Sequence, residues 1–209
     1  MTDATGTRVV RPIARADVRG AVGTLARAFH DDPAMAWIFP DEQMRARRLP
    51  PFFASAVRAN VRQGHSEVVV AGEQVLGCAI WIAPGAWRPP LRRQLMALPS
   101  VIVGLRSRLI VASATYGALL SVHPEAPHWY LSGIGTDPPA QGTGVGGALL
   151  QSRLARCDAA GQAAYLESSK ESNVPFYQRH GFRATRELTI PGGGPTFWLM
   201  WREPQEVRC

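Results

Sequence analysis

Residues 141–147 read Gln141-Gly142-Thr143-Gly144-Val145-Gly146-Gly147. Four glycines in seven positions let a backbone come close to a ligand and adopt positive φ at little cost. The stretch that follows, Ala148-Leu149-Leu150-Gln151-Ser152-Arg153-Leu154-Ala155-Arg156-Cys157, has helical apolar spacing. A glycine loop that opens a helix aims unpaired N–H groups and the positive end of the dipole at an anion, so it seats phosphate. Before it, Trp129 to Thr136 reads as a strand stopped by Asp137-Pro138-Pro139. Strand, turn, glycine loop and helix together mark a ligand site.

Three phosphate-binding patterns compete for this stretch. A P-loop requires Gly-Lys-Ser/Thr, and Gly146 is followed by Gly147-Ala148, so that pattern is absent. The dinucleotide fingerprint G-x-G-x-x-G is formally present at Gly142, Gly144 and Gly147, with Glu167 twenty residues further on. Against an NAD(P)-binding oxidoreductase stand the Pro138-Pro139-Ala140 spacer between strand and glycines, and the short remainder of the chain. About sixty residues after the loop are too few for further βα units.

The third pattern is a resemblance. Gln141-x-x-Gly144-x-Gly146 resembles the Q/R-x-x-G-x-G/A loop of the GNAT superfamily of N-acetyltransferases, which wraps the pyrophosphate of acetyl-CoA. Asn173-Val174-Pro175-Phe176-Tyr177-Gln178-Arg179-His180-Gly181-Phe182 resembles a shortened form of that superfamily's N-x-x-A-x-x-x-Y-x-x-x-G-F segment. The likeness covers residues 129 to 202, with the two motifs at the family's separation. Ala28 to Pro33 and Trp37 to Asp41 also look like one bacterial branch.

The resemblance implies an acetyl-CoA-dependent N-acetyltransferase that works by direct attack in a ternary complex. Its cofactor residues here would be Gln141, Gly142, Thr143, Gly144, Val145, Gly146 and Gly147 around the pyrophosphate. Ile134, Gly135 and Thr136 would bond the pantetheine arm and polarise the carbonyl. Asn173, Phe176 and Tyr177 would complete the cofactor site. Tyr177 stands at the family's Tyr position, where the phenol, of pKa about 10, protonates a leaving thiolate. Simpler readings stay open beside these: a β-bulge at Gly133 and Gly135, a packing role for Tyr177 and a helix cap at Asn173.

An alkylamine at neutral pH is uncharged in only about one molecule in two thousand, so a base is needed. In several family members a carboxylate near the start of the fourth strand serves. That zone here is His128-Trp129-Tyr130, and Glu167 is the first substitute, with Asp31 and Asp32 second. Phe29, Asp31, Asp32 and Trp37 combine aromatic faces with carboxylates, a set suited to an organic cation. A core-and-cap role would place the same residue types there. The acceptor expected is therefore a small amine, with a protein or peptide acetyltransferase and a CoA-binding sensor as alternatives.

Composition agrees. The chain's 209 residues suit a single domain over 1–209, and 46% apolar with 19% charged residues reads as globular. Of 23 basic residues, 22 are Arg and one is Lys170, so the +7 charge reflects codon bias more than a polyanion track. The arginines are scattered in modest clusters, such as Arg45/Arg47/Arg48 and Arg88/Arg92/Arg93, which speaks against nucleic acid. Cys78, Cys157 and Cys209 form no paired motif and suggest a reducing, cytoplasmic setting. Leu109 to Val122 is uncharged but too short to span a bilayer, so it reads as a buried or oligomer-facing helix in a monomer or homodimer. His123 and His128 flank Glu125 across two prolines with no third ligand nearby, so no metal is expected.

The pattern along the chain is β-α-α-β-β-α-β-α-β-α-β-β, a mixed α/β single domain. Strands are expected at 8–13, 66–71, 75–83, 129–136, 163–167, 182–190 and 196–202. Asp17 is expected to cap a first helix running to Phe29, and a second should cover Met44 to Val61. Leu91 to Leu120 reads as two helical pieces. The resemblance implies a GNAT-like fold: a twisted, mainly antiparallel sheet splayed between its fourth and fifth strands and flanked by helices.

Overall fold

The computed structural model describes residues 7–87 and 108–206. The expected helical piece over 91–107, the arginines at 88, 92 and 93, and Cys209 lie outside the described residues.

Among the described residues, seven strands form one sheet: β1 (Arg8–Pro12), β2 (Glu67–Ala71), β3 (Gln74–Ile82), β4 (His128–Thr136), β5 (Ala163–Ser168), β6 (Arg183–Thr189) and β7 (Thr196–Arg202). The helices are α1 (Val18–Ala28), α2 (Pro33–Ile38), α3 (Glu42–Val61), α4 (Leu109–Val122), α5 (Val145–Ala159) and α6 (Val174–Arg179). Strand order is β1-β2-β3-β4-β5-β7-β6, with β4–β5 the one parallel neighbour pair. The expected strands are all present, each within about two residues of its expected bounds.

Both faces of the central strands are buried, which is why β2 and β3 read as nearly continuous apolar runs. Alternate residues serve opposite layers. Val68, Val70, Cys78 and Ile80 pack with Leu25, Leu49 and Phe53 of α1 and α3. Val69, Ala79 and Trp81 pack with Leu149, Leu150 and Leu154 of α5. Burying each such leucine contributes about 1.5–3 kcal/mol, so the site's helix is anchored by its apolar face.

Gly77 on β3 sets how closely α5 sits. A Cβ there would lie 2.5 Å from Val145 Cγ1 and 3.1 Å from Leu149 Cδ1. On the other face, a Cβ at Gly135 would lie 2.8 Å from the Ala28 Cβ, so that glycine lets α1 close onto β4.

Two local expectations change. Asp17 does not cap α1; its carboxylate bonds the Arg11 guanidinium and the Ala14 amide instead, fastening β1 to the turn before the helix. Between the first two expected helices the chain builds α2, a helix that the expected β-α-α-β order did not include. Asp32 accepts from the Ala34 and Met35 amides and Pro33 takes the first helical position, a start signal as strong as any in the chain.

The splay is explicit in the register. β4 and β5 pair only at His128–Ala163, Trp129–Ala164 and Tyr130–Tyr165. Beyond Tyr130, β4 pairs with β3 alone, and Ser132 is the extra residue of a bulge opposite Ile80–Trp81. A bulge bends its strand and raises local twist, which accompanies the parting of β4 from β5. The bulge expected as an alternative at Gly133 and Gly135 thus exists, one residue earlier.

Candidate active site

Where β4 leaves β5, its edge from Leu131 to Thr136 has no strand partner on that side. Unpaired N–H and C=O groups in a row accept an extended arm as they would another strand. At the end of β4, Asp137 is held by two contacts: its amide bonds the Leu76 carbonyl, and its buried carboxylate takes both Nε (2.6 Å) and Nη2 (3.0 Å) of Arg27. The prolines that separate strand from glycines form a single 3₁₀ turn, Pro138–Ala140. That turn lowers the chain to the foot of α5, and Ala140 is buried in the core beneath it.

The glycine loop is the floor of a cleft of about 510 Å³. Gly142 (φ +74°) and Gly144 (φ +87°) occupy the left-handed region, and a Cβ on either meets no protein atom within 4 Å. Glycine is required there by conformation, while the space above is left for something else. α5 starts directly after Gly144, with no side-chain cap. The amides of its first turn have no carbonyl one turn earlier to bond, and Gly144, Val145, Gly146 and Gly147 line the cleft. Lys170, Arg179 and His180 add basic side chains to the same wall. Burial and the neighbouring arginines keep His180 neutral, so the cations on this edge are Lys170 and Arg179, and a floor of free amides beside them fits a pyrophosphate.

Ile134, Gly135, Thr136, Gln141, Asn173, Phe176 and Tyr177 also line this cleft, so the structure brings most of the sequence-expected cofactor residues together. Thr143 is the exception: its hydroxyl bonds the Ala140 carbonyl, and its own carbonyl accepts from Arg8. It braces the loop from outside. Asn173 makes no capping hydrogen bond to α6. Phe176 packs on Gly146, where a Cβ would come within 3.3 Å of its ring.

A smaller cavity of about 60 Å³ continues into the splay between β4 and β5. Tyr177, Phe29, Asp32, Ile134 and Asn173 line both spaces, and Glu167, Ser132 and Ser168 line only the inner one. Tyr177 is 7% exposed and sits at the junction. Burial, then the Asp32 charge, pushes its phenol well above the usual range, so the ordinary phenol value expected from sequence does not hold in the free protein. The hydroxyl consequently keeps its proton at any working pH. Asp32 is raised as well, because burial outweighs the hydrogen bonds from Ser169, Met35 and Ala34.

Over the junction runs a roof that joins the α1–α2 turn to the β5–α6 loop. Ser169 Oγ donates to Asp32 at 2.5 Å, and Lys170 Nζ donates to Asp31 at 2.7 Å. The lysine partner holds the Asp31 carboxyl below its usual range. Trp37 departs from the sequence expectation. It lines neither space; it packs against the α1–α3 core, and its carbonyl accepts from Arg108.

Sequence reasoning missed the surroundings of Glu167. Its Oε2 accepts from Tyr130 Oη at 2.7 Å and its Oε1 lies 3.3 Å from His123 Nδ1. His123 and His128 come from the loop before β4 and the start of β4, and no spacing in the chain announces that they meet a residue of β5. The isolated Lys170 was the one available signal for the roof.

The Acetyltransferase (GNAT) domain model matches residues 106–200. An uncharacterized N-acetyltransferase of Schizosaccharomyces pombe is 28% identical over 203 residues, covering 90% of this chain and 81% of that protein. Among solved structures, a protein described as histone acetyltransferase HPA2 and related acetyltransferase, from Corynebacterium glutamicum, superposes with a TM-score of 0.67. It is 25% identical, and the match covers 97% of this chain and 99% of that one. Arylalkylamine N-acetyltransferase 2 of Aedes aegypti shares the fold, with a TM-score of 0.68, 10% identity and coverage of 95% and 100%. A splayed sheet with a glycine-floored cleft, a matching domain model over residues 106–200 and a similar N-acetyltransferase along nine-tenths of the chain converge: residues 106–200 match the GNAT acetyltransferase domain, and the chain has the fold of GNAT acetyltransferases.

Proposed function

We propose that the chain, acting as one domain over 1–209, acetylates the primary amine of a small molecule with acetyl-CoA as donor. The observation that carries this reading is the pair of joined cavities that meet at Tyr177, one floored by amides and the other lined by carboxylates. Bound acetyl-CoA supplies an activated acetyl thioester. The amides of Val145, Gly146 and Gly147, with Gln141, are assigned to its pyrophosphate, and the free edge of β4 at Ile134–Thr136 to the arm. Glu167 and Asp32 attract a cationic head into the inner cavity. Glu167, already accepting one hydrogen bond from Tyr130, is the base that takes the ammonium proton. Tyr177 holds a proton at the junction, where the leaving thiolate needs it.

A protein or peptide acceptor is the second reading, since the similar Corynebacterium protein is described as a histone acetyltransferase. We prefer the small acceptor because the inner space of about 60 Å³, lined by Asp32 and Glu167, takes a compact cationic head. Isothermal titration should give micromolar binding of CoA or acetyl-CoA and no heat with NADH. A thiol-release assay across an amine library should then find turnover. NADH binding without CoA binding would overturn the donor assignment, activity confined to peptides the acceptor class, and CoA binding without any turnover would leave a sensor.

A further inference from the structure

Behind Glu167, away from the inner cavity, lies a buried chain of polar contacts. Glu167 Oε1 is 3.3 Å from His123 Nδ1, His123 Nε2 is 3.1 Å from His128 Nε2, and His128 Nδ1 is 2.7 Å from the Ala126 carbonyl. The His123 and Glu167 side chains are 3% and 5% exposed and His128 is 1% exposed. Trp87 stacks on His123 at 3.9 Å, and Tyr165 and Trp201 press on His128. Burying two imidazoles and a carboxylate is costly unless every contact is bridged by a hydrogen.

The hydrogens can be counted. A carbonyl only accepts, so His128 Nδ1 carries a hydrogen. In a neutral ring its Nε2 is then a lone pair, and His123 Nε2 must donate to it. A neutral His123 consequently turns a lone pair from Nδ1 toward a carboxylate oxygen. Two neutral imidazoles and one carboxylate therefore leave one of the three contacts without a hydrogen, and the unbridged one is the longest.

We propose that Glu167, His123 and His128 take up the acceptor's ammonium proton as one unit, which completes this chain. The substrate N–H bond breaks and a Glu167 O–H forms, leaving the lone pair on the amine for attack. The proton then passes to His123 Nδ1, and the hydrogen on His123 Nε2 passes to His128 Nε2. Each of the three contacts then holds one hydrogen, and the carboxylate is balanced by one imidazolium. When product leaves and water enters the inner cavity, the proton returns by the same path. Burial, opposed by the Ala126 hydrogen bond and the Glu167 charge, holds the resting His128 imidazole below its usual range, so the free ring is neutral. Tyr116 of α4, Tyr130 of β4 and Tyr165 of β5 also feel the Glu167 charge. Burial, with the Glu167 charge second, raises all three, so they remain neutral. His123 and His128 act through Glu167 and are positioning residues.

The inference rests on Glu167 being the base. In the wild-type enzyme labelled with ¹⁵N-histidine, the imidazole signals of His123 and His128 should shift together in one single-proton step. That joint step should vanish in Glu167→Gln. Independent titration of the two rings would overturn the relay without any His variant having to fold. In kinetics, His123→Asn should lower kcat with KM for acetyl-CoA held, and move the acid limb of kcat/KM by about one pH unit, a tenfold change in proton affinity. A folded His123→Asn enzyme with the wild-type limb would refute the relay. If Glu167→Gln still loses activity in that case, Glu167 remains the base; if Glu167→Gln works at the wild-type rate, the base assignment itself falls.

Discussion

The proposed donor and acceptor sides of the splay draw on different materials. On the donor side the working groups belong to the backbone: the amides that open α5, the unpaired edge of β4 and two glycines held at positive φ. On the acceptor side they are side chains drawn from four places, Asp32 before α2, His123 before β4, Tyr130 in β4 and Glu167 in β5. A pyrophosphate needs many weak donors in a fixed curve, and a run of consecutive amides provides that curve at no cost in burial. Moving a proton needs a few groups of tuned basicity, and tuning requires burial beside particular neighbours. The donor side is therefore local in sequence and the acceptor side is not.

Loading the donor side with a charge is the strongest test of that contrast. Gly144→Glu places a carboxylate above the loop, in space that holds no protein atom within 4 Å of a Cβ, and at φ +87°. The backbone strain costs about 1–2 kcal/mol, too little to unfold a sheet packed on both faces. CoA binding should be lost in calorimetry while the far-ultraviolet circular dichroism persists. A folded variant with unchanged affinity would break the assignment of the loop.

The junction comes next. Tyr177→Phe keeps the ring that packs on Phe176 and Phe182 and removes only the hydroxyl. Loss of a general acid lowers kcat on the order of 10²–10⁴-fold. CoA affinity should hold, and the deficit should shrink with a donor whose thiol leaves more readily. Because burial keeps the wild-type phenol protonated, no alkaline loss of activity below pH 10 should trace to Tyr177. Near wild-type kcat would reduce Tyr177 to a packing residue.

The roof should matter least. Asp31 is 72% exposed at its side chain and Lys170 35%, so their bridge is solvent-screened and contributes at most about 1 kcal/mol. Asp31→Asn should change kcat/KM for the acceptor by no more than about fivefold, with the melting temperature nearly unchanged. A much larger loss confined to the acceptor's KM would show that Asp31 grips the substrate directly, as the sequence reading supposed.

The fold was legible where the sequence speaks through period and punctuation. The valines of β2, the glycine loop and the Gly181 stop after α6 (φ +86°) all announce themselves locally. Asp17 misled because an N-terminal Asp can satisfy a nearby guanidinium instead of a helix end, and Arg11 lies close enough to claim it. Trp37 misled because an aromatic beside carboxylates looks the same whether its ring faces a cavity or a core.

From its own order of residues the chain determined the strands, the helix that follows Gly144, and the glycine loop between them, because those depend on φ, apolar period and hydrogen bonds within a few residues. Only the tertiary structure decided that β4 parts from β5 after Tyr130, that Asp32 and Glu167 face one space, and that His123 and His128 stand behind the carboxylate. Those relations join residues 30 to 140 positions apart. They are set by how two layers of helices close on a twisted sheet, a packing outcome that no window of sequence contains.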